Sequence, residues 1–219
     1  GVVLPSGYGP GEGVIVDSSY RSSRARKWSQ VDLDEFLLTP EGTALVTCYP
    51  RTVAADLSPA GGARDGYVFE SIIQELDVAT GRVLHEWRSL EHVSVAASPL
   101  GGVYDYIHVN SIDLTPDGRL LASARHTCAL YKLGRAVGVI WRMAGKRSDF
   151  AMRKWTQFAR QHDAGQLAPG LITVFDDGAS PRQARSRSRG LVLEFDYGNS
   201  RLWRAGREVP ADSVMAPKK

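Results

Sequence analysis

The sequence contains few cysteines and no long apolar run, and each absence excludes a class of protein. Cys48 and Cys128 are the two cysteines among 219 residues, too few for a disulfide framework or a cysteine-based metal site. We expect two half-buried free thiols, with a single disulfide as the alternative. No stretch approaches the roughly 20 apolar residues that a membrane-spanning helix needs, so no membrane span is expected.

The net charge is also small. The chain has 27 Lys and Arg against 24 Asp and Glu, a difference of +3, which does not demand a nucleic-acid partner. The Arg-rich stretch 182–189 is interpreted by default as an exposed, solvated loop, and contact with nucleic acid is the weaker alternative. Because 43% of the residues are hydrophobic and charges of both signs are interspersed, we expect a globular protein.

The chain begins at Gly1 rather than Met, and no signal peptide precedes it. We therefore expect its start to lie outside this sequence, and an export signal would be lost with it.

A repeated pattern is the main feature that is present. Its first half is a short strand, a Pro-Gly turn and an apolar strand. It occurs at 36–46 (FLLTPEGTALV), at 112–122 (IDLTPDGRLLA) and, in a shorter and less complete form, at 166–174 (QLAPGLITV). Pro and Gly at these places favour a tight turn between antiparallel strands.

The second half of the pattern is an alternating strand, a polar turn and a strand that ends in Trp-Arg. The tryptophans are Trp87, Trp141 and Trp203, which lie 54 and 62 positions apart. Four short strands per repeat at this spacing predict an all-β protein of the β-propeller type with three four-stranded blades. A β-sandwich is the alternative, but it gives no reason for Trp-Arg to recur at one place in each unit.

The predicted domain is a partial propeller over 1–207, followed by a polar tail over 208–219. The expected blades cover about 34–88, 108–142 and 160–204, and residues 1–27 are expected to hold remnants of a preceding blade. Three blades do not close a ring, since propellers have about four to eight. We therefore expect either a piece of a larger propeller or an open arc, and an open arc would favour self-association through its unpaired edges.

Polar residues precede the innermost strand of each repeat when the repeats are aligned on the proline of the turn. They are residues 34–35, 108–110 and 161–163. Since the first strands of successive blades surround one channel, these clusters are predicted to meet at one rim. Arg125, at the end of a second strand, is expected to reach the same rim.

His108, His162 and Arg125 point to an anion rather than to a metal. Two imidazoles and a guanidinium without cysteine make a poor zinc site, and no metal or other cofactor is expected. Arg binds a tetrahedral anion through two parallel hydrogen bonds, and His adds a further donor. The alternatives are structural hydrogen bonding by the two histidines and a salt bridge from Arg125 to a neighbouring Asp.

Five segments in order resemble the motifs of the arylsulfotransferase family, and the resemblance extends over about residues 2–204. They are 32–42 (DLDEFLLTPEG), 107–113 (IHVNSID), 123–125 (SAR), 145–150 (GKRSDF) and 161–163 (QHD). The resemblance implies a six-bladed parent, of which this chain would be roughly the later half, and export to the periplasm or the cell exterior. It also implies sulfuryl transfer from an aryl sulfate donor to a phenolic acceptor, without nucleotide-activated sulfate.

By the same resemblance, His162 corresponds to the nucleophile that forms a sulfohistidine, and His108 and Arg125 correspond to the sulfate-binding pair. Further candidates for substrate binding are Asn110, Asp34, Lys146, Arg147 and Tyr106. For Lys146 and Arg147 the equal alternative is a solvated loop. For Tyr106 packing between blades is the favoured interpretation. Asp163 or Asn110 is a candidate for fixing the His162 tautomer, and Asp163 is equally well interpreted as a turn residue.

Asp34 departs from the family, which usually has a histidine at this place. Three alternatives follow for the Asp34 carboxylate: it repels the bound sulfate, it acts as a base toward the acceptor phenol, or it faces away from the site. A catalytically impaired propeller that serves as a binding or scaffold module is therefore the main rival to the enzyme. A quinoprotein-like dehydrogenase is a weaker rival, because the sequence offers neither its cofactor platform nor its metal-binding carboxylates.

Overall fold

The computed structural model describes residues 14–15, 18–20, 31–48, 52–98, 105–179 and 187–196, and the backbone of 16, 22–23 and 201–205. Nearly all regular structure in these residues is β-strand. The strands are β1 Ile15–Val16, β2 Ser22–Ser23, β3 Val31–Leu38, β4 Thr43–Cys48, β5 Thr52–Ala55, β6 Gly66–Phe69, β7 Ile72–Asp77, β8 Val83–Arg88, β9 Val109–Leu114, β10 Leu120–Ala124, β11 Ala129–Gly134, β12 Gly138–Ala144, β13 His162–Ala168, β14 Leu171–Asp176, β15 Arg189–Asp196 and β16 Arg201–Ala205. One α-helical turn, α1 (Ser89–His92), and two 3-10 turns, Ser58–Ala60 and Val95–Ala97, lie between them.

Three antiparallel sheets of four strands each follow one another along the chain. Their orders are β3-β4-β7-β8, β9-β10-β11-β12 and β13-β14-β15-β16, and two small hairpins, β1-β2 and β5-β6, accompany them. Each predicted Pro-Gly turn joins the first two strands of a sheet, and Gly42, Gly118 and Gly170 adopt φ values of 77°, 72° and 75°. A side chain is strained at such angles, which explains the glycine in all three copies.

The first strands of the three sheets are neighbours, and side chains join them. The Glu35 carboxylate accepts the backbone N–H of Ile112 at 3.3 Å, and the Asp113 carboxylate accepts the N–H of Gln166 at 2.7 Å. Strand β9 therefore lies between β3 and β13. Three sheets that meet through their first strands form a propeller-type arrangement rather than a sandwich, and the predicted all-β propeller class is confirmed.

Two apolar cores fill the spaces between successive sheets. The core between the first and second sheets includes Leu45, Ile73, Trp87, Tyr106, Ile112, Ala122 and Tyr131. The core between the second and third includes Leu121, Leu130, Trp141, Met143, Phe158, Ile172, Leu193 and Phe195. The predicted Trp-Arg strands thus place Trp87 and Trp141 between sheets, and Trp203 lies in β16, where the structure describes the backbone alone.

Other sequence predictions agree with the structure only in part. Cys48 and Cys128 are free and buried. Arg189, expected in a solvated loop, instead begins β15, is 8% exposed and pairs with Asp176 at 2.9 Å. Residues 180–186 and the predicted tail 208–219 lie outside the described residues, as does most of 1–27, of which Ile15–Val16 and Ser22–Ser23 pair as one hairpin.

In the part of the chain that the structure describes, no helix has both the length and the apolar character that crossing a membrane requires.

Candidate active site

Each of the three first strands contains an irregularity at the same end of its sheet. In β9, Val109 pairs with Ala124 and Ser111 with Ser123, so Asn110 is one residue in excess. In β13, His162 pairs with Phe175 and Gly165 with Thr173, three positions against two. In β3, the chain advances five positions, from Val31 to Phe36, while its partner advances two. Such bulges redirect side chains, and they are frequent next to active sites.

The β3 bulge corrects one sequence expectation. Asp34 and Glu35 were expected just before the innermost strand, but both lie within β3, which begins at Val31. The surplus residues of the bulge allow β3 to continue past the polar cluster while Asp34 reaches the neighbouring sheet. Its Oδ2 lies 3.4 Å from His108 Nε2.

His108 immediately precedes β9 and is held on both sides of its ring. Its Nδ1 lies 2.5 Å from Asp105 Oδ2, and its Nε2 faces Asp34. Its backbone has φ +50°, a left-handed conformation that is uncommon for residues other than glycine. The backbone N–H of Arg125 donates to the His108 carbonyl at 2.8 Å, so the segments that carry the two residues are directly bonded.

The carboxylates determine the charge of His108. Burial opposes protonation of the ring, but the hydrogen bonds and charges of Asp105 and Asp34 outweigh it and raise the pKa of His108 to about 9. Reciprocally, burial opposes ionisation of Asp34, and His108 nevertheless lowers its pKa. Burial next to Asp34 raises the pKa of Asp32 to about 7. His108 is therefore an imidazolium at neutral pH, and Asp34 is its carboxylate partner.

Asp105, His108 and His126 also bring possible metal-ligand atoms within 4.8 Å of one another. However, Asp105 Oδ2 and His108 Nδ1 are 2.5 Å apart, whereas tetrahedral zinc at its usual bond lengths keeps two ligand atoms about 3.3 Å apart. The spacing is that of a hydrogen bond, so the cluster fits a shared proton better than a metal ion.

Arg125 bridges the second and third sheets. Its Nη1 donates to the Arg160 carbonyl at 2.9 Å and to Asp177 Oδ2 at 2.6 Å, an ion pair whose side chains are 28% and 24% exposed. The salt bridge raised as an alternative for Arg125 is thus present. The Nε and Nη2 atoms make no hydrogen bond to any described residue, and their N–H groups remain for an anion.

His162 is the first residue of β13 and is half-buried. Its ring makes no hydrogen bond to a residue of the described chain, which leaves a ring nitrogen for nucleophilic attack. Its charge is one of the weaker causes that lower the pKa of Asp34, so the ring and that carboxylate share one region of the rim. The neighbouring Asp163 is exposed and has φ +47°.

The remaining predicted residues lie farther from this group or deeper in the fold. Asn110 is fully buried, and its Nδ2 donates to the Gln161 carbonyl at 2.9 Å. Tyr106 is 1% exposed and belongs to the core between the first and second sheets. Their burial favours a structural role for both residues, and their contact with substrate stays a prediction.

Lys146 and Arg147 follow β12, the outermost strand of the second sheet. Lys146 donates to the carbonyls of Ala96 and Ser98, at 3.2 and 2.5 Å, and Arg147 is exposed. Three strand spacings separate β12 from β9, about 14 Å at the usual spacing. Their part in drawing anions to the rim stays a prediction, and from that strand it would act through charge rather than contact.

Two acidic residues of the site were not found by sequence reasoning. Asp105 precedes His108 by three residues, and no motif marks it. Asp177 follows β14 as Arg125 follows β10, so the repeat itself contained a signal: equivalent positions of adjacent blades carry opposite charges. Aligning the ends of the second strands, as well as the beginnings of the first strands, would have paired them.

The fold and this rim define an all-β protein of the propeller type with a cluster of histidine, arginine and carboxylate side chains at one end of its sheets. The model of the family described as arylsulfotransferase (ASST) matches residues 1–213, and the chain belongs to that family. No curated protein matches the chain at a significant level.

Proposed function

We propose that the protein transfers a sulfuryl group from an aryl sulfate to a phenolic acceptor through a sulfohistidine at His162. Membership of the arylsulfotransferase family supports this type of reaction in general. The observation that carries the proposal is the bridging position of Arg125. Its backbone is bonded to His108, and its side chain is bonded to the carbonyl of Arg160, two residues before His162.

The proposed reaction has two half-reactions. A ring nitrogen of His162 attacks sulfur, the bond from sulfur to the aryl oxygen breaks, and the phenolate leaves. The acceptor phenol then attacks the sulfohistidine, and His162 leaves as the neutral imidazole. The proton that the acceptor loses balances the proton that the departing phenolate gains. No oxidant or reductant enters the cycle.

His108 and Arg125 are proposed to bind the sulfuryl oxygens. The charge on these oxygens is redistributed as sulfur passes between oxygen and nitrogen, and preorganised cationic donors lower the energy of such a transition state. The imidazolium of His108 and the unused Nε and Nη2 donors of Arg125 supply that environment.

The test is the release of nitrophenolate from 4-nitrophenyl sulfate by the full-length protein in the presence of phenol. His162→Ala should abolish release, and a wild-type sample quenched before the acceptor is added should carry one sulfuryl group on the peptide that contains His162. His85→Ala is the matched control, since His85 lies in β8, the outermost strand of the first sheet. Equal turnover by wild type and His162→Ala would exclude this nucleophile.

One observation favours the second candidate, a binding or scaffold module without turnover. Both cationic groups of the rim already face carboxylates, His108 facing Asp34 and Arg125 facing Asp177. An incoming sulfate must compete with them. Calorimetry that detects aryl sulfate binding would support the binding module if no acceptor phenol gives nitrophenolate release and His162 is not labelled. The same result would contradict the sulfotransferase.

A further inference from the structure

Asp105 is a buried carboxylate in the segment before β9, outside every sequence motif. Its side chain is 6% exposed. Its Oδ2 lies 2.5 Å from His108 Nδ1 and 3.7 Å from His126 Nδ1. A buried carboxylate is costly unless it is paired and hydrogen-bonded, and here its partner is the imidazole proposed to bind sulfate.

The segment that carries Asp105 is fastened to the turn after β10. His126 Nδ1 donates to the backbone carbonyl of Asp105, and the backbone N–H of His126 donates to the Ile107 carbonyl at 3.0 Å. The rings of His108 and His126 lie 4.9 Å apart. These contacts hold His108 in its left-handed conformation, a cost that persists where the surroundings over-determine it.

We infer that Asp105 is a positioning residue: it engages His108 Nδ1, favours the protonated ring, and fixes the ring so that its Nε2 edge, which faces Asp34 at 3.4 Å, lies at the rim proposed to bind the sulfuryl oxygens. This inference rests on the proposed function, because it specifies how the same site holds its anion. The carboxylate acts through His108 and does not itself touch substrate.

The charged groups around His108 come from three places in the fold. Asp32 and Asp34 approach from β3, Asp105 precedes the ring in its own segment, and His126 approaches from the turn after β10. Burial lowers the pKa of His126, and the charges of His108 and Arg160 add to that effect while Asp105 opposes it. At neutral pH His126 is therefore neutral while His108 is charged, and the two adjacent rings do not repel each other.

The consequence is a division of work between two histidines. His108 keeps its proton and serves as a fixed cationic donor, whereas the ring of His162, which makes no hydrogen bond to a described residue, is open for nucleophilic attack. Different environments for two groups of one chemical type are how active sites separate roles.

The experiment measures the titration of His108 directly. NMR of the ring resonances, assigned with His108→Gln, is followed against pH in wild type, in Asp105→Asn and in the control Glu70→Gln. Glu70 is a matched buried carboxylate, 2% exposed, whose ion-pair partner is Arg88 at 2.6 Å rather than a histidine. Asp105→Asn should lower the midpoint of His108 by at least one unit, a tenfold change in its proton affinity, and Glu70→Gln should leave it in place.

Kinetics gives the second readout. In Asp105→Asn, the KM for 4-nitrophenyl sulfate should rise at least tenfold between pH 7 and pH 9. The KM of wild type should rise only about twofold, because half of His108 stays protonated at pH 9 when its pKa is about 9. Loss of stability alone would not create this pH dependence. Asp105→Glu, which retains the charge, should restore part of the wild-type profile.

Each result separates the inference from the proposed function. A His108 midpoint near that of an ordinary histidine in wild type, which needs no variant, overturns the inference, and so does an unchanged midpoint in Asp105→Asn. A shifted midpoint without any sulfuryl transfer by wild type supports the role of Asp105 and contradicts the proposed function. Inorganic sulfate, titrated against the His108 resonance, then measures the anion affinity that remains.

Discussion

The charge and the available donors of each side chain at the rim depend on the residues that it contacts. His108 lies between Asp105 and Asp34, at 2.5 and 3.4 Å, whereas His162 has no such partner in the described residues. Arg125 divides its donors, since Nη1 holds Asp177 and the Arg160 carbonyl while Nε and Nη2 stay available. Asp105 and Asp34 therefore determine the charge of His108, whereas Asp177 determines which donors of Arg125 stay available.

Asp34 gives a prediction at the residue scale. A carboxylate about 5 Å from a sulfate repels it by ~3 kcal/mol at an effective dielectric of about 20. Asp34→Asn should therefore tighten the binding of aryl sulfate, by on the order of 100-fold at most, because Asp105 still holds the charge of His108. Calorimetry and the KM for 4-nitrophenyl sulfate are the measurements.

Asp34→Glu is the control, since it keeps the charge and changes only the reach of the side chain. Binding that weakens in Asp34→Asn while Asp34→Glu binds normally would contradict the repulsion. That result would assign the carboxylate a positive part in binding, such as accepting the proton of the phenol.

At the scale of strands, the repeat predicts much of the structure. The Pro-Gly turns and the Trp-Arg strands locate all four strands of each sheet, because both signals are local: a turn that needs a left-handed glycine, and alternation that buries one face. The β5–β6 hairpin between β4 and β7 was not predicted, since it interrupts the repeat within its first copy.

The bulges and the pairing of charges were not predictable in the same way. A bulge is defined by the register between two strands, and sequence periodicity does not fix which residue is in excess. Asp105 and Asp177 acquire their roles from residues 3 and 52 positions away in sequence. The prediction that His108, Arg125 and His162 lie at one rim came from aligning the repeats, whereas the aspartates that contact His108 and Arg125 depend on tertiary contacts.

Packing between sheets gives a second prediction. Trp141 is 5% exposed and packs edge to face against Phe150 and Phe195, with ring centroids 5.4 and 5.5 Å away. Trp141→Ala should lower the free energy of unfolding by about 3–5 kcal/mol, because it leaves a cavity between the second and third sheets.

Trp155 is the matched control. It is 44% exposed, and Trp155→Ala should cost less than about 1 kcal/mol. Denaturant titrations followed by far-UV circular dichroism measure both variants. Equal losses of stability would contradict the assignment of Trp141 to the core between the sheets.

For the whole molecule, the charge of His108 connects stability to pH. Its pKa in the folded protein, about 9, lies above the ordinary value of 6.5. A raised histidine pKa contributes stability that is fully present below pH 6.5 and is lost as pH rises through about 9. The shift corresponds to about 3 kcal/mol. Wild type should therefore lose stability progressively across this window.

Asp32 acts in the same direction at lower pH. Its pKa is raised from 3.8 to about 7, so ionising it destabilises the folded state as pH rises from about 4 to 7. Thermal melts of wild type and His108→Gln between pH 6 and 10 isolate the histidine. The variant should flatten the decline above pH 6.5, and an equally steep decline in both would contradict the shifted pKa of His108.

The hydrogen bonds between neighbouring sheets have a further consequence. Among the described residues, the first strands of neighbouring sheets are connected by carboxylate and hydroxyl contacts to single amides, such as Asp113 to Gln166 and Ser111 to Ala164, rather than by continuous ladders. Each sheet can therefore keep its own hydrogen bonds while the angle between sheets relaxes by a small amount. The groups proposed to act on one sulfuryl group are divided between the second and third sheets. A small misalignment of these two sheets is therefore expected to lower turnover without changing the circular dichroism of the backbone.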